Sequence, residues 1–421
     1  MPILLLLYVI IPAVQVAFYL TGRPVAGIGE ALNYAASIFA FHWLAANVAV
    51  SAKIPRSQHI IPYDARVRFH IFASAGIIVS LIYHAAYKNL SGTYIGPLNE
   101  APGVVLGLML VVAMLWIPVP GLAAARGKIL SAARKGTAFH YDRAKAVHGY
   151  FVLALGLVLL VHLAVAGLFE EVPPVSVALY LLVFLLSFGL YALGKFGVFD
   201  SKATVAEVEE HRGITTIRLR TDKAHSFKAG QFAFLRARGP AKTTEEHPFS
   251  YLSTPDEANV SFAVRACGDF TNHLATLKPG DRVKIKGGFG DFHPGKEPAL
   301  CFISSGIGTV PFISILKALH KSGEKRPLRF FMSVNYEDEI PELDRIREIA
   351  ASMPNLDLRV LVYSADGLRY SEEFFRRELP DPTKYVHYVC SSPKVRTSVI
   401  KSLNALGVKK SAIRFEEFSL G

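Results

Sequence analysis

Hydrophobicity is spread unevenly along this chain, and that asymmetry limits the folds open to it. Nearly all the long apolar runs lie within residues 3–199, whereas residues 200–421 read as an ordinary soluble sequence. Hydrophobic residues make up 51% of the 421 positions. A membrane half joined to a soluble half explains that excess better than one large globule, and the length allows two or three domains. An apolar run of about 20 residues can cross a bilayer as a helix. Six spans are expected, at roughly 3–20, 28–50, 67–87, 103–119, 147–168 and 175–195. The first lacks a basic start, and Thr21-Gly22-Arg23-Pro24 is a poor cleavage site, so it reads as a span rather than a signal peptide.

The formal net charge of +12 does not point to nucleic acid, because no basic stripe interleaved with aromatics is present. The basic residues fall largely in loops between apolar segments, where they set membrane orientation. Lys53, Arg56, Arg66 and Arg68 follow the second run; Arg126, Lys128, Arg134, Lys135, Arg143 and Lys145 follow the fourth. The other loops offer Arg23, Lys88, Glu170 and Glu171. Both strongly basic loops are therefore expected on the cytoplasmic side of the cell (inner or plasma) membrane. Six spans then leave both termini and the soluble half there too. Cys267, Cys301 and Cys390 form no CxxC pair, so they indicate neither a metal site nor a disulfide framework.

Histidine within a bilayer is expensive and usually functional. The third run carries His70 and His84, and the fifth carries His148 and His162. Each pair is 14 residues apart, just under four turns at ~3.6 residues per turn, so both members share a helix face. These two spans run in the same direction. His70 can meet His148 near the cytoplasm, and His84 can meet His162 about 21 Å further along the axis. Two imidazoles across a gap at each level make two bis-histidine haem b sites, stacked across the membrane. A lone buried histidine is more often structural, which is the reading for His42. Arg66, Arg68, Arg143 and Lys145 are equally suited to haem propionates and to simple anchoring.

From about residue 204, short alternating strands such as Ile214–Arg220 and Val260–Val264 alternate with Gly and Pro turns, as in a small antiparallel barrel. It contains His247-Pro248-Phe249-Ser250, then Arg265, then Gly268-Asp269-Phe270-Thr271 ahead of a short helix. Thr271 and its neighbours could hold a pyrophosphate at that helix start. After Pro298 strands and helices alternate, as in a parallel α/β sheet. Gly306-Ile307-Gly308-Thr309-Val310-Pro311 lies between a buried strand and a helix, and its glycines let backbone approach a pyrophosphate.

Taken in order, these motifs resemble the ferric reductase and NADPH oxidase superfamily in a minimal form. The paired histidines look like its membrane haem domain. His247-Pro248-Phe249-Ser250 and Gly268-Asp269-Phe270-Thr271 resemble its flavin-binding motifs, and Gly287-Gly288-Phe289-Gly290 resembles a glycine turn between them and the nucleotide domain. Gly306, Gly308, Thr309 and Pro311 match its nicotinamide-cofactor loop, and Cys390-Ser391-Ser392-Pro393 an element near the nicotinamide. Phe415-Glu416-Glu417-Phe418 matches its C-terminal stretch, in which an aromatic, here Phe418, covers the flavin. Three departures stand out. Ser391 replaces a glycine, three residues follow Phe418, and Lys88 stands where superoxide-producing members place a histidine.

The resemblance implies a membrane α-helical bundle over residues 1–199, a ferredoxin-reductase-like FAD-binding β-barrel over 200–297 and an α/β NAD(P)-binding domain over 298–421. It implies electron transfer from NAD(P)H through FAD and two haems to an outer acceptor: a ferric chelate, oxygen, a quinone or a periplasmic protein. Cys390 and Phe418 would stand at the hydride-transfer centre. Ser333-Val334-Asn335-Tyr336-Glu337-Asp338 occupies the expected ribose-recognition stretch, with Arg369 as a phosphate partner from a later loop. The rival readings are a proton channel or transporter with relaying histidines, and a haem-free flavin reductase anchored to the membrane.

Overall fold

The computed structural model describes the chain apart from residues 1, 23, 58–59, 62, 93–96, 115–140, 170–171, 238–245, 368 and 417–421. It divides into two compact units, Met1–Phe199 and Asp200–Gly421. Arg23, the loop cations Arg126, Lys128, Arg134 and Lys135, the acids Glu170 and Glu171, and Phe418 lie outside the described residues.

The first unit is helical. Helix α1 comprises Pro2–Leu5, a π-helical turn over Leu6–Ile10, and Ile11–Thr21. It is followed by α2 (Ile28–Val50), α3 (Tyr63–Leu90), α4 (Pro97–Met114), α5 (Tyr141–Val165) and α6 (Pro174–Lys195). Small residues let these helices approach closely. A Cβ on Gly156 would fall 2.6 Å from the Phe188 ring, and one on Gly76 2.6 Å from Trp43. Ile38, Phe41, Leu44, Leu155, Leu159 and Phe184 form the interior. The outside is apolar as well, with Phe72, Val79, Leu157 and Leu185 exposed.

Among the described residues, four segments are long and apolar enough to cross a membrane: Ile3–Thr21, Ala65–Leu90, His148–Val165 and Pro174–Lys195. The expected second and fourth spans are not among them. Helix α2 carries Asn33, His42 and Asn47, all buried, so its mean hydropathy falls although it is long enough. Helix α4 starts six residues before the expected span and includes Asn99 and Glu100. The remainder of that span, 115–119, lies outside the described residues.

The second unit opens with β1 (Ser201–His211), β2 (Ile214–Thr221), β3 (Phe232–Ala237), β4 (His247–Ser250), β5 (Val260–Arg265) and β6 (Arg282–Phe289), with the short helix α7 (Asp269–Leu274) before β6. They form one antiparallel sheet in the order β4-β3-β6-β1-β2-β5. The expected barrel is not closed by a ladder. Its edges, β4 and β5, meet through one bridge between Tyr251 and Phe262. Strand β4 is only four residues long and pairs with β3, and its Pro248 cannot donate, which suits an edge.

The rest of the unit is a five-stranded parallel sheet in the order β11-β10-β7-β8-β9. Its strands are β7 (Leu300–Ser305), β8 (Leu328–Val334), β9 (Leu356–Val362), β10 (Val386–Cys390) and β11 (Ile413–Phe415). Helices α8 (Val310–Lys321), α9 (Leu343–Ser352), α10 (Tyr363–Asp366), α11 (Glu372–Glu378) and α12 (Pro393–Ala405) connect them. The strands carry near-continuous apolar runs because both faces are covered. Phe302, Phe312 and Phe330 are fully buried on one side, and Phe331 and Phe375 on the other. Each such ring contributes about 1.5–3 kcal/mol of burial.

Candidate functional site

In a sheet of this kind ligands bind beyond the carboxyl ends of the strands, where the winding reverses. Here the reversal falls between β7 and β10. After β7 the chain makes a 3-10 turn, Gly306–Thr309, and enters α8, whose first turn accommodates Pro311. Gly306 is left-handed at φ +56, a backbone that favours glycine. Gly308 presses against the end of β10. A Cβ there would lie 2.3 Å from the Cys390 carbonyl oxygen and 3.2 Å from the Ser391 nitrogen. Absence of a side chain at Gly308 therefore brings the phosphate-type turn and the Cys390-Ser391 element together. The Thr309 hydroxyl is buried and hydrogen-bonded to Ser304 Oγ at 3.0 Å, so this loop offers a ligand its backbone rather than that hydroxyl.

The flavin-motif residues stand on the antiparallel sheet. His247, Pro248, Phe249 and Ser250 are β4, paired with Leu235, Phe234, Ala233 and Phe232. Phe270 of α7 stacks on His247 with ring centroids 4.3 Å apart, and lies near-parallel to Phe249 at 6.1 Å. Gly268 precedes α7 in extended backbone. The Thr271 hydroxyl accepts from the Cys267 N–H at 2.8 Å and donates to the Gly268 carbonyl at 2.9 Å, so it holds its own turn. Arg265, at the end of β5, reaches across to the parallel sheet. Its guanidinium lies 3.4 Å from the buried carboxylate of Glu339, and Nη2 would be 3.9 Å from a Cβ on Gly306. Arg265 thus brings the end of β5 up to the Gly306 turn.

Cys390 is buried, and burial pushes its thiol well above the ordinary range, with the neighbouring Glu416 carboxylate adding to the effect. Burial thus favours the neutral thiol over the thiolate. Cys301 is likewise buried and shifted upward, while Cys267 is exposed. The folded protein is therefore expected to show one fast-reacting thiol, Cys267, by mass-mapped alkylation. Rapid labelling of Cys390 without unfolding would contradict this placement. Glu416 was not singled out from the sequence, where it is one acid in an acidic pair near the end. It is 3% exposed, and a Cβ on Gly290 (φ +89) would come within 2.7 Å of its Oε1. Phe415 sits on β11 opposite Val389 beneath the Arg396 guanidinium.

In the helical unit the four histidines fall into two pairs. The His84 and His162 rings have centroids 6.5 Å apart at 89°. His70 and His148 lie within electrostatic reach of each other. Helix α2 and Ser51 at its C-cap supply an oxygen to each histidine of α3. His84 Nδ1 is 2.9 Å from Asn33 Oδ1, an acceptor, so Nδ1 carries the proton. His70 Nδ1 is 3.2 Å from Ser51 Oγ, whose own proton goes to the Asn47 carbonyl at 2.7 Å, so here too Nδ1 is the donor. Both rings are left with Nε2 as a lone-pair nitrogen, the arrangement of a metal-ligating imidazole anchored through its other nitrogen. Two metal–imidazole bonds of about 2 Å each put the ring centroids roughly 6 Å apart, close to the separation in the outer pair. Gly103 of α4 leaves space beside His162, where a Cβ would be 3.2 Å from the ring. Among the described residues no three His, Cys, Asp or Glu side chains gather as a metal cluster.

Residues 201–282 match a FAD-binding domain family. A ferredoxin–NAD(P)(+) reductase component of the naphthalene 1,2-dioxygenase/salicylate 5-hydroxylase systems of Ralstonia sp is 27% identical over 52% of this chain and 68% of its own length. Human dual oxidase 1 is 27% identical over 62% of this chain, a share larger than the whole Asp200–Gly421 unit, but only 18% of its own length. Among solved structures, an Amycolatopsis cytochrome P450 reductase covers 52% of the chain and 69% of its own, with a TM-score of 0.47 and 22% identity. The flavohaem-like FAD/NAD-binding domain of Vibrio cholerae nitric oxide dioxygenase covers 51% of the chain and 97% of its own, with a TM-score of 0.46 and 21% identity. The chain is an NAD(P)H-dependent oxidoreductase with a FAD-binding domain over residues 201–282, and it is similar both to ferredoxin–NAD(P)(+) reductase components and to a dual oxidase.

Proposed function

We propose that the chain carries electrons from cytosolic NAD(P)H through FAD and across the cell membrane, over two bis-histidine b-type haems, to an acceptor on the outer side. The observation that carries this reading is the pair of anchored imidazoles on α3, each with Nε2 left for a metal and each opposite a histidine of α5. They belong to the same chain as a FAD-binding domain. The apolar exterior of the helical unit supports a multi-pass membrane protein, and the basic loops support cytoplasmic termini.

Bound flavin converts a two-electron donor into single electrons, and bis-imidazole haem accepts them singly. The protein's own part is to bind, orient and exclude water. His247, Pro248, Phe249, Ser250, Arg265, Gly268, Phe270 and Thr271 would hold FAD. Gly306, Gly308, Thr309 and Pro311 would shape the nicotinamide-nucleotide turn, and Cys390 and Phe418 would flank the nicotinamide. His70 with His148, and His84 with His162, would hold the two haems. Asn33 and Ser51 hold two of those rings through Nδ1. Lys88, one turn beyond His84, favours a ferric chelate or another outer acceptor over oxygen as the dedicated substrate.

The test is a panel of acceptors, with soluble Fe(III) chelate reduction measured beside superoxide formation, on purified protein supplied with each nucleotide. A protein that purifies with FAD but shows no haem absorbance would overturn the haem path in favour of a membrane-anchored flavin reductase. Within the same reading, His247→Ala and Ser250→Ala are expected to lower FAD content at least several-fold while leaving haem absorbance unchanged. Loss of haem from a folded variant would contradict the separate assignment of the two cofactor sets.

A further inference from the structure

We infer that the electron donor is NADH rather than NADPH, and that Asp338, seconded by Glu337, makes the choice. This rests on the nucleotide-binding reading above and names which coenzyme that site takes. Strand β8 is the immediate parallel neighbour of β7, with Ser333 opposite Ser305. A dinucleotide whose pyrophosphate meets the Gly306 turn therefore lays its adenosine ribose beside the end of β8. A short 3-10 turn, Glu337–Glu339, lies there, and Tyr336, 48% exposed, precedes it.

The two outer carboxylates of that turn are each fixed through one oxygen. Asp338 Oδ2 receives Arg212 Nε and lies 3.2 Å from His211 Nε2. Both partners come from the β1–β2 hairpin, where Arg212 adopts φ +48. The Arg212 guanidinium also covers the Tyr336 ring at 4.6 Å. Glu337 Oε1 receives Arg347. Among the described residues, Asp338 Oδ1 and Glu337 Oε2 accept no hydrogen bond. Each carboxylate is thus held rigid and turns an acceptor outward.

A ribose 2′-hydroxyl donates to such an acceptor. A 2′-phosphate is a dianion with no hydrogen to donate, and it meets a carboxylate of like charge. The bond to Arg212 holds the Asp338 carboxylate below its usual range, so it is charged at neutral pH. Arg212 is a cation suited to a phosphate once Asp338 is absent, which makes the carboxylate a gate on its own partner.

The experiment uses the full-length, FAD-loaded protein and follows anaerobic bleaching of the flavin by NADH and by NADPH in stopped flow. Wild type is expected to favour NADH at least about tenfold in second-order rate. Asp338→Ser should shift that ratio toward NADPH by about tenfold or more, since it removes the like charge and releases Arg212. Glu337→Gln, which preserves shape, should move it in the same direction by less, and it serves if Asp338→Ser does not fold. A wild-type ratio near one or favouring NADPH would overturn the inference. So would a ratio unmoved in both variants while NADH still bleaches the flavin. Bleaching by neither nucleotide would instead sink the electron-entry reading, and this inference with it.

Discussion

Replacing His84 or His162 with alanine should abolish electron delivery to an impermeant outer acceptor, while NAD(P)H still bleaches the flavin at the wild-type rate. Each variant should lose about half of the haem absorbance. His70→Ala and His148→Ala should lose acceptor reduction equally, but the haem that survives should no longer be reduced by NAD(P)H. The asymmetry follows from geometry. The two histidines of each helix are about 21 Å apart along its axis, and the proposed orientation puts His70 and His148 on the cytoplasmic side. Removing the inner pair breaks the path at its start, and removing the outer pair breaks it at its end. The measurement is a haem content assay with a reduced-minus-oxidised spectrum for each variant. A reversed pattern would invert the orientation, and four variants with wild-type haem content would mean that these histidines are not ligands.

The second large effect is expected at Gly308. Alanine there places a methyl group 2.3 Å from the Cys390 carbonyl oxygen and 2.8 Å from its carbon. Those are backbone atoms at the end of a buried strand, so the turn must move instead. Overpacking of this kind costs about 1–3 kcal/mol, which a folded domain tolerates. Nicotinamide positioning would not tolerate it, because a displacement near 1 Å can cost about 10²-fold in rate. Gly308→Ala should therefore slow flavin reduction by NAD(P)H about 10²-fold, with FAD content and dithionite reduction unchanged. Stopped-flow bleaching reads this directly, and a wild-type rate would remove Gly308 from the site.

How much of this was legible in the sequence varied with the range of the interaction. Helices were visible as apolar runs, and the strand–helix alternation after Pro298 was visible as a change of period, because both are local. The histidine spacing was legible for the same reason, since 14 residues is a property of one helix. Long-range partners were not. Asn33 and Ser51 looked like a polar break and a helix end. Only the antiparallel packing of α2 on α3 shows that they anchor His84 and His70. The polarity that makes α2 useful to those histidines also keeps it short of the apolarity of a spanning helix. Strand patterning suggested a barrel, yet closure depends on the pairing of β4 with β5, and among the described residues no ladder joins them, only the isolated bridge from Tyr251 to Phe262. Thr271 and Thr309 carried the right chemistry at the right spacing, but their hydroxyls are spent within their own turns. Glu416 and Asp338 gained meaning only from neighbours distant in the chain, Gly290 for one and Arg212 for the other.

The central claim, that one chain joins a nicotinamide-reducible flavin to two haems, is tested most directly by an anaerobic optical titration of the purified full-length protein with NADH. The haem and FAD contents of the same sample are measured independently. Two b-type haems per FAD, both reduced at the expense of NADH and both slowed when FAD is removed, is the expected result. A sample that binds FAD and is bleached by NADH yet has no Soret absorbance, or whose haems stay oxidised while the flavin is fully reduced, would contradict it.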